Sequence, residues 1–264
     1  MDKLISLKEA ANLVITGSSL ALGGMTLYRR PFAFTKQLLQ RYIKFEQPNN
    51  LTLIAFTASF ESDLLVGAGL ISKVRTCYFG LEIFGIAPMF TFLANNRGIE
   101  IIEESEASLS FGLRAQLAGI GFMPGLGWIG TDMLAIRPDV KTITDPYSGE
   151  ELVAFPAIKP DIAVIHALKA DLAGNAIIGN NKAVDEDLVG ASEIVVITAE
   201  EIVPELKKAD IVAPYVDAVV HTPLGALPSS CHPNYPVDGK AIMDYIENVG
   251  DPASFQSFLG GYLK

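Results

Sequence analysis

Between residues 7 and 118, short apolar runs alternate with longer stretches of helical spacing, and few folds accept that rhythm. The pattern predicts helix over Leu7–Val14, strand over Leu20–Leu22, helix over Phe32–Ile43 and strand over Leu51–Phe56. Helix Asp63–Leu70, strand Val74–Phe79, helix Ala87–Asn95, strand Ile99–Ile102 and helix Glu106–Ala118 follow. Strands separated by helices of about ten residues cannot pair as hairpins, so each connection crosses over. The expected product is an α/β fold: a three-layer arrangement with a mostly parallel sheet covered by helices on both faces.

After Phe122 the texture changes. "FMPGLGWIGTD" and "RPDVKTITDPYSGEE" are rich in Gly, Pro and Asp and predict an irregular segment with short strands. "DIAVIHALKADLAGNAIIGN" reads as strand, turn, strand, with turn chemistry over Asp171–Asn175. Strands Ile194–Thr198 and Ala218–His221 resume the alternation, and Gly239–Asn248 has helical spacing. Neither a linker of disordered composition nor a repeat interrupts the chain, so residues 1–264 are expected to form a single domain.

Bulk properties exclude several classes. A net charge of −10 and a pI near 4.8 argue against a nucleic-acid partner. No apolar stretch reaches the roughly 18 residues of a membrane span, and "MDKLISLKEAANLV" lacks the apolar core of a signal peptide. Cys77 and Cys231 have no metal-ligand spacing, and His166, His221 and His232 make no zinc pattern. The expectation is a cytoplasmic protein with no bound metal and no membrane association.

The stretch "LALGGMTLYRRPFAF" (20–34) ends a predicted strand on Gly23-Gly24 and places Arg29-Arg30 immediately before Pro31. In a parallel sheet, ligands gather at the carboxyl ends of strands. Glycine there admits a ligand to backbone N–H groups, and Pro31 suits the first position of a helix. The same glycines serve equally as a tight structural turn, and no third glycine completes a dinucleotide fingerprint. Elsewhere, Ser105-Glu106 reads as a helix cap followed by an acid in the first turn, beside a solvated acidic face of Glu100, Glu103 and Glu104. His166 has the setting of a hydrogen-bonded core histidine. Cys231 has no base placed beside it by the sequence. Trp128 and "YFGLEIFGIAPMF" suit core, subunit interface or the lining of an acyl pocket.

"TGSSLALGGMTLYRRP" resembles the N-terminal signature of the α-type subunit of family I CoA-transferases, in particular the glutaconate branch. Gly17, Leu20-Ala21-Leu22, Gly23, Gly24 and Pro31 match that signature; Met25 stands in place of its Phe and Arg29 in place of a Gly. "GIGFMPG", "PDIAVIHALKADLAGNA" and "VDAVVHTPLGALPSSCHPNY" are similar to further segments of those subunits, so the resemblance covers nearly the whole chain.

The resemblance implies the CoA-transferase/NagB-like fold and an αβ heteromer in which a β-type subunit carries the nucleophilic glutamate. The glutamate motif of that half is absent here, since "EESEASLS" (103–110) has no glycine after its glutamates. It further implies coenzyme A or an acyl-CoA as substrate, with no permanently bound cofactor and a carboxylic, dicarboxylic for preference, acid as the other substrate. Gly23, Gly24 and Met25 would then supply backbone donors to the thioester oxygen, and Arg29 and Arg30 would face an anionic substrate or a CoA phosphate. Glu106 stands where a divergent, ring-opening acyl-CoA hydrolase branch carries a catalytic glutamate, and a third branch decarboxylates a glutaconyl-CoA. Three readings of the chain therefore stay open: a transferase subunit, a C–C hydrolase or decarboxylase subunit using Glu106, and a non-catalytic ligand-sensing module on the same scaffold.

Overall fold

The computed structural model describes residues 2–263. Its strands are β1 (Ser19–Leu22), β2 (Leu51–Ala55), β3 (Ile71–Thr76), β4 (Glu100–Glu103), β5 (Phe122–Gly125), β6 (Lys141–Thr144), β7 (Glu151–Pro156), β8 (Ile162–Asp171), β9 (Ala176–Ile177), β10 (Ile194–Val203) and β11 (Ala218–His221). The helices are α1 (Leu7–Asn12), α2 (Phe32–Phe45), α3 (Phe60–Ala68), α4 (Pro88–Asn95), α5 (Glu106–Leu117), α6 (Met133–Ile136), α7 (Asp185–Ala191), α8 (Gly239–Asn248) and α9 (Pro252–Tyr262).

Seven strands pair in the order β11-β10-β8-β1-β2-β3-β4, all parallel, and β9 folds back antiparallel on the outer half of β8. Alternation along each strand divides the core between the two faces. Leu20, Leu22, Leu53, Val164 and Val196 pack with α1, α2, α3, α8 and α9. Ala21, Ile54, Ala163, Ile165 and Val195 pack with α5 and α7. The expected three-layer α/β architecture is the one observed. A separate antiparallel sheet, β5-β7-β6, covers Trp128, Val140, Val153 and Phe155, and these rest on Phe111 of α5.

Helices α7 and α9 lie outside the expectations, as does the single turn of α6. Helix α7 is only seven residues long and opens with three acids, so its period is too brief to register. Helix α9 is announced by Asp251 as cap and Pro252 as first residue, a start signal placed close to the end of the chain. Pro31 is the cap of α2 rather than its first residue.

The strand order reverses at β1. From there the chain builds outward through β2, β3 and β4 on one side, and through β8, β10 and β11 on the other. The crevice beyond the carboxyl ends of β1 and β8 is therefore the topological switch point, where open α/β sheets hold ligands.

Candidate active site at the carboxyl edge of the sheet

Loop 23–31 leaves β1 at that switch point. Gly23 N–H continues the ladder to Val164 O at 3.0 Å. Gly24 N–H donates to Asp185 Oδ1 at 2.9 Å. Met25 N–H donates to Tyr28 O at 3.0 Å and Tyr28 N–H returns to Met25 O at 2.8 Å, closing a tight turn whose four residues are partly exposed. Thr26 N–H donates to Thr57 Oγ1 at 2.7 Å.

These bonds correct one expectation. The N–H groups of Gly23, Gly24 and Met25 are committed inside the chain, so none of the three is free to receive a thioester oxygen. The glycines serve close packing instead. A Cβ on Gly23 would lie 2.4 Å from Ile165 Cδ1, and one on Gly24 would lie 2.6 Å from the carbonyl oxygen of Tyr28. Gly24 also takes a φ of +87°. Thr26 and Arg29 adopt left-handed φ values of 48° and 54°, each a strain of about 1–2 kcal/mol that the surroundings must hold.

The arginines require a second correction. Both are fully buried and neither faces solvent. Arg29 Nη2 lies 2.9 Å from Asp185 Oδ2, with further bonds from Nη1 to His166 O and from Nη2 to Asn181 O. Arg30 Nη2 lies 2.5 Å from Glu61 Oε1, and its Nη1 donates to Gly24 O at 3.0 Å. The partners come from the first turns of α7 and α3, which deliver their acids beneath the loop. A desolvated guanidinium needs such a counter-charge, and the two pairs leave neither cation available to a substrate anion.

Along the same edge, the loops after β1, β2, β3 and β4 stand side by side, bringing Thr26, Thr57, Cys77 and Glu106 into sequence. Glu106 follows the fourth strand of that row, three strand spacings from β1, roughly 14 Å across the sheet. It is the exposed first residue of α5 and, among the described residues, enters no ion pair. Ser105 caps that helix by accepting from Ser108 N–H at 3.2 Å, and Trp128 Nε1–H donates to Ser105 Oγ at 2.8 Å. Cys77 donates to Phe56 O at 2.7 Å, and burial together with the Glu106 carboxylate pushes its thiol up to about 12.

Glu104 is no part of a solvated face. It is buried, accepting from Arg75 Nε and Arg137 Nη1 at 2.8 Å each and from the Ser108 hydroxyl. The sequence shows four acids at 100, 103, 104 and 106, and the long-range arrival of Arg75 and Arg137 separates the structural one from the rest. Trp128 belongs to the core, while Ile83 (93 % exposed), Ile86 (66 %) and Leu126 (59 %) stand out on loops flanking this edge.

Across the switch point, His166 is fully buried and hydrogen-bonded, as its setting predicts. Its Nδ1 lies 2.9 Å from Thr198 Oγ1 and its Nε2 2.8 Å from Glu200 Oε1. Burial holds the imidazole below its ordinary pKa. Burial also acts to raise Glu200, but the bonds from His166, Tyr235 and Leu224 N–H outweigh it and hold that carboxylate low. The ligand atoms of His166, Glu200 and Cys231 lie within 4.8 Å of one another, close enough to hold a metal ion. The Cys231 thiol is pushed up to about 12 by burial and by Glu200, so it stays protonated, and the imidazole and carboxylate are already bonded to each other. The arrangement works as a hydrogen-bond network in which His166, held by Thr198, and Tyr235 both bond one carboxylate, Glu200. Beside it opens a cavity of about 550 Å³ with Tyr28, Leu168, Asn180, Asn181 and His232 in its wall. Among the described residues no helix is long and apolar enough to cross a membrane.

The parallel sheet thus carries, along one carboxyl edge, the glycine loop, Thr57 and the exposed Glu106. Residues 4–222 match the family model described as Coenzyme A transferase, and the chain belongs to that family. It is 32 % identical over 254 residues to a protein of Archaeoglobus fulgidus, a match that takes in 93 % of this chain and 56 % of that protein. It is 29 % identical to a subunit of the 3-oxoadipate CoA-transferase of Pseudomonas knackmussii, with 100 % and 94 % of the two chains covered. The same identity relates it to the cholesterol ring-cleaving hydrolase IpdA subunit of Rhodococcus jostii, over 100 % and 92 %. Among solved structures it is similar to glutaconate coenzyme A-transferase from Acidaminococcus fermentans (TM-score 0.90, 26 % identity, 99 % and 88 % covered). It is likewise similar to a variant of the decarboxylase AibA/AibB (TM-score 0.87, 26 % identity, 98 % and 100 % covered).

Proposed function

We propose that this chain is the α-type subunit of a heteromeric CoA-transferase that moves CoA between an acyl-CoA and a carboxylic acid, a dicarboxylic acid for preference. The observation that carries this reading is the full-length likeness to one subunit of the 3-oxoadipate CoA-transferase, 29 % identical across 94 % of that polypeptide. CoA enters as a substrate, and a β-type subunit supplies the glutamate nucleophile.

In that reaction the partner's carboxylate attacks the thioester carbonyl and expels the CoA thiolate, leaving a mixed anhydride. The thiolate then attacks the glutamyl carbonyl of the anhydride. The acyl group departs as its free carboxylate and a glutamyl-CoA thioester remains. The acceptor acid repeats the two steps in reverse. Desolvation favours the attack, because a carboxylate is a weak nucleophile in water. The exposed Ile83, Ile86 and Leu126 flank the edge where a partner would exclude water. Since the N–H groups of loop 23–25 are occupied, we assign to this chain the Met25–Tyr28 turn as a shaped wall, with the oxyanion donors supplied from the partner side.

A second reading has one observation in its favour. Glu106 is an exposed acid at a helix start on this edge and, among the described residues, enters no ion pair, and the IpdA and AibA/AibB relatives are a hydrolase and a decarboxylase by name. There Glu106 would act as general base on water or substrate.

The deciding experiment is to assemble the chain with a β-type partner, add acyl-CoA, and look for CoA on the partner by intact mass before and after hydroxylamine. The transferase reading expects a trapped thioester and substantial activity in Glu106→Gln. Absence of any adduct, together with an inactive Glu106→Gln, would overturn it in favour of hydrolysis or decarboxylation.

A further inference from the structure

Two buried charge pairs reach the same residue from opposite sides. Asp185 accepts from Arg29 through Oδ2 and from Gly24 N–H through Oδ1. Arg30 donates to Glu61 through Nη2 and to Gly24 O through Nη1. Each pair thus keeps one polar atom for its partner and one for Gly24, whose two flanking peptide groups are fixed by all this charge. Arg29 is also bonded to His166 O, which ties the assembly to β8, on the far side of the switch point.

We propose that Arg29–Asp185 and Arg30–Glu61 form a positioning clamp. It locks the Gly24 backbone and thereby sets the Met25–Tyr28 turn presented at the switch point. The use of that turn as a wall for a thioester rests on the function proposed above. The clamp gives each buried pair a second task beyond mutual neutralisation, since Asp185 holds Gly24 N–H and Arg30 holds Gly24 O. It also explains how the positive φ values of Thr26 and Arg29 persist, since a non-glycine residue keeps such a conformation only when its surroundings over-determine it. These four side chains are positioning residues, and none is placed to touch a substrate.

The test separates the ion pair from the clamp. Arg29→Met/Asp185→Asn removes both charges and keeps an acceptor for Gly24 N–H. Arg29→Met/Asp185→Leu removes the charges and the acceptor together. Hydrogen exchange by NMR on the full chain should show the Gly24 amide exchanging at least tenfold faster in the leucine double variant, with β2 and β10 amides unchanged. The asparagine double variant should stay within threefold of wild type. In the assembled enzyme, kcat should follow the same order with KM for acyl-CoA moving less than threefold. Equal exchange at Gly24 in the two variants, or a rise spread evenly over the sheet, would overturn the clamp. Should either double variant fail to fold, Arg30→Lys decides from the carbonyl side: faster exchange confined to Met25 and Tyr28 supports the clamp, and unchanged exchange overturns it. If no assembly shows activity, the functional reading fails while the exchange rates still decide the clamp.

Discussion

Trp128 donates its indole N–H to Ser105 Oγ at 2.8 Å, and Ser105 is the cap of the helix whose first residue is Glu106. The tie joins the loop after β5 to the edge that carries the free carboxylate. Trp128→Phe keeps a ring against Phe155, now packed edge-on at 5.2 Å between centroids, and deletes the donor. A loss of about 1–3 kcal/mol in urea unfolding is expected, from the missing bond and the space vacated. An unchanged midpoint would show that the cap does not depend on the tie.

Arg29→Ala should be strongly destabilising, the reverse of what an exposed loop arginine would give. It strands the Asp185 carboxylate in the interior, a loss on the order of 3–5 kcal/mol. Equilibrium denaturation reads this directly, and a change below about 1 kcal/mol would contradict the buried pairing.

Gly24→Ala should destabilise more than Gly23→Ala. At Gly23 the nearest atom is the flexible end of Ile165, whereas at Gly24 the neighbours are the carbonyls of Tyr28 and Arg29 and φ is +87°. Overpacking of the first kind costs about 1–3 kcal/mol, and the second adds backbone strain. Melting temperatures of the two variants in the opposite order would count against this account.

Asp63 gives the fold a pH signature. It accepts from Met89 N–H, Phe90 N–H and the Tyr245 hydroxyl, yet burial pushes its carboxyl up to about 6. A folded-state value above the ordinary one means that stability is fully present below the unfolded value and is lost as pH rises through about 6. From pH 4 to 7 the wild type should lose on the order of 2 kcal/mol relative to Asp63→Asn. Parallel stability curves for the two proteins would refute it.

Glu104→Gln and Glu106→Gln should separate cleanly. The first unbalances Arg75 and Arg137 and should lower the melting temperature by several degrees. The second touches an exposed acid and should leave stability within about 0.5 kcal/mol, so that any change in turnover is chemical. A loss of stability at Glu106 equal to that at Glu104 would remove this distinction.

The layers of the fold are readable because each strand is an apolar run and each helix has a period of its own; Leu20–Leu22 and Leu51–Ala55 need no distant information. The loop is only half readable. Gly23-Gly24 announces a place where backbone must approach backbone. What approaches, Asp185 and the carbonyls of Tyr28 and Arg29, depends on helix α7, whose seven residues carry too short a pattern. Charge is the least legible quantity. Arg30, Glu104 and Arg29 look like surface groups in the sequence because burial of an ion is decided by its partner. Those partners arrive from 31, 33 and 156 positions away, beyond any local period.

The middle of the main sheet joins the beginning of the chain to its second half: Leu20 of β1 pairs with Ile162 of β8, and Arg29 meets its acid 156 residues later. During synthesis β1 through β4 can associate early, but one whole flank of β1 then has no neighbour. An open apolar strand flank is a template for the wrong chain. The centre of the sheet thus closes only when β8 arrives, and a nascent chain stopped before Ile162 would hold four parallel strands with one flank of β1 unpaired.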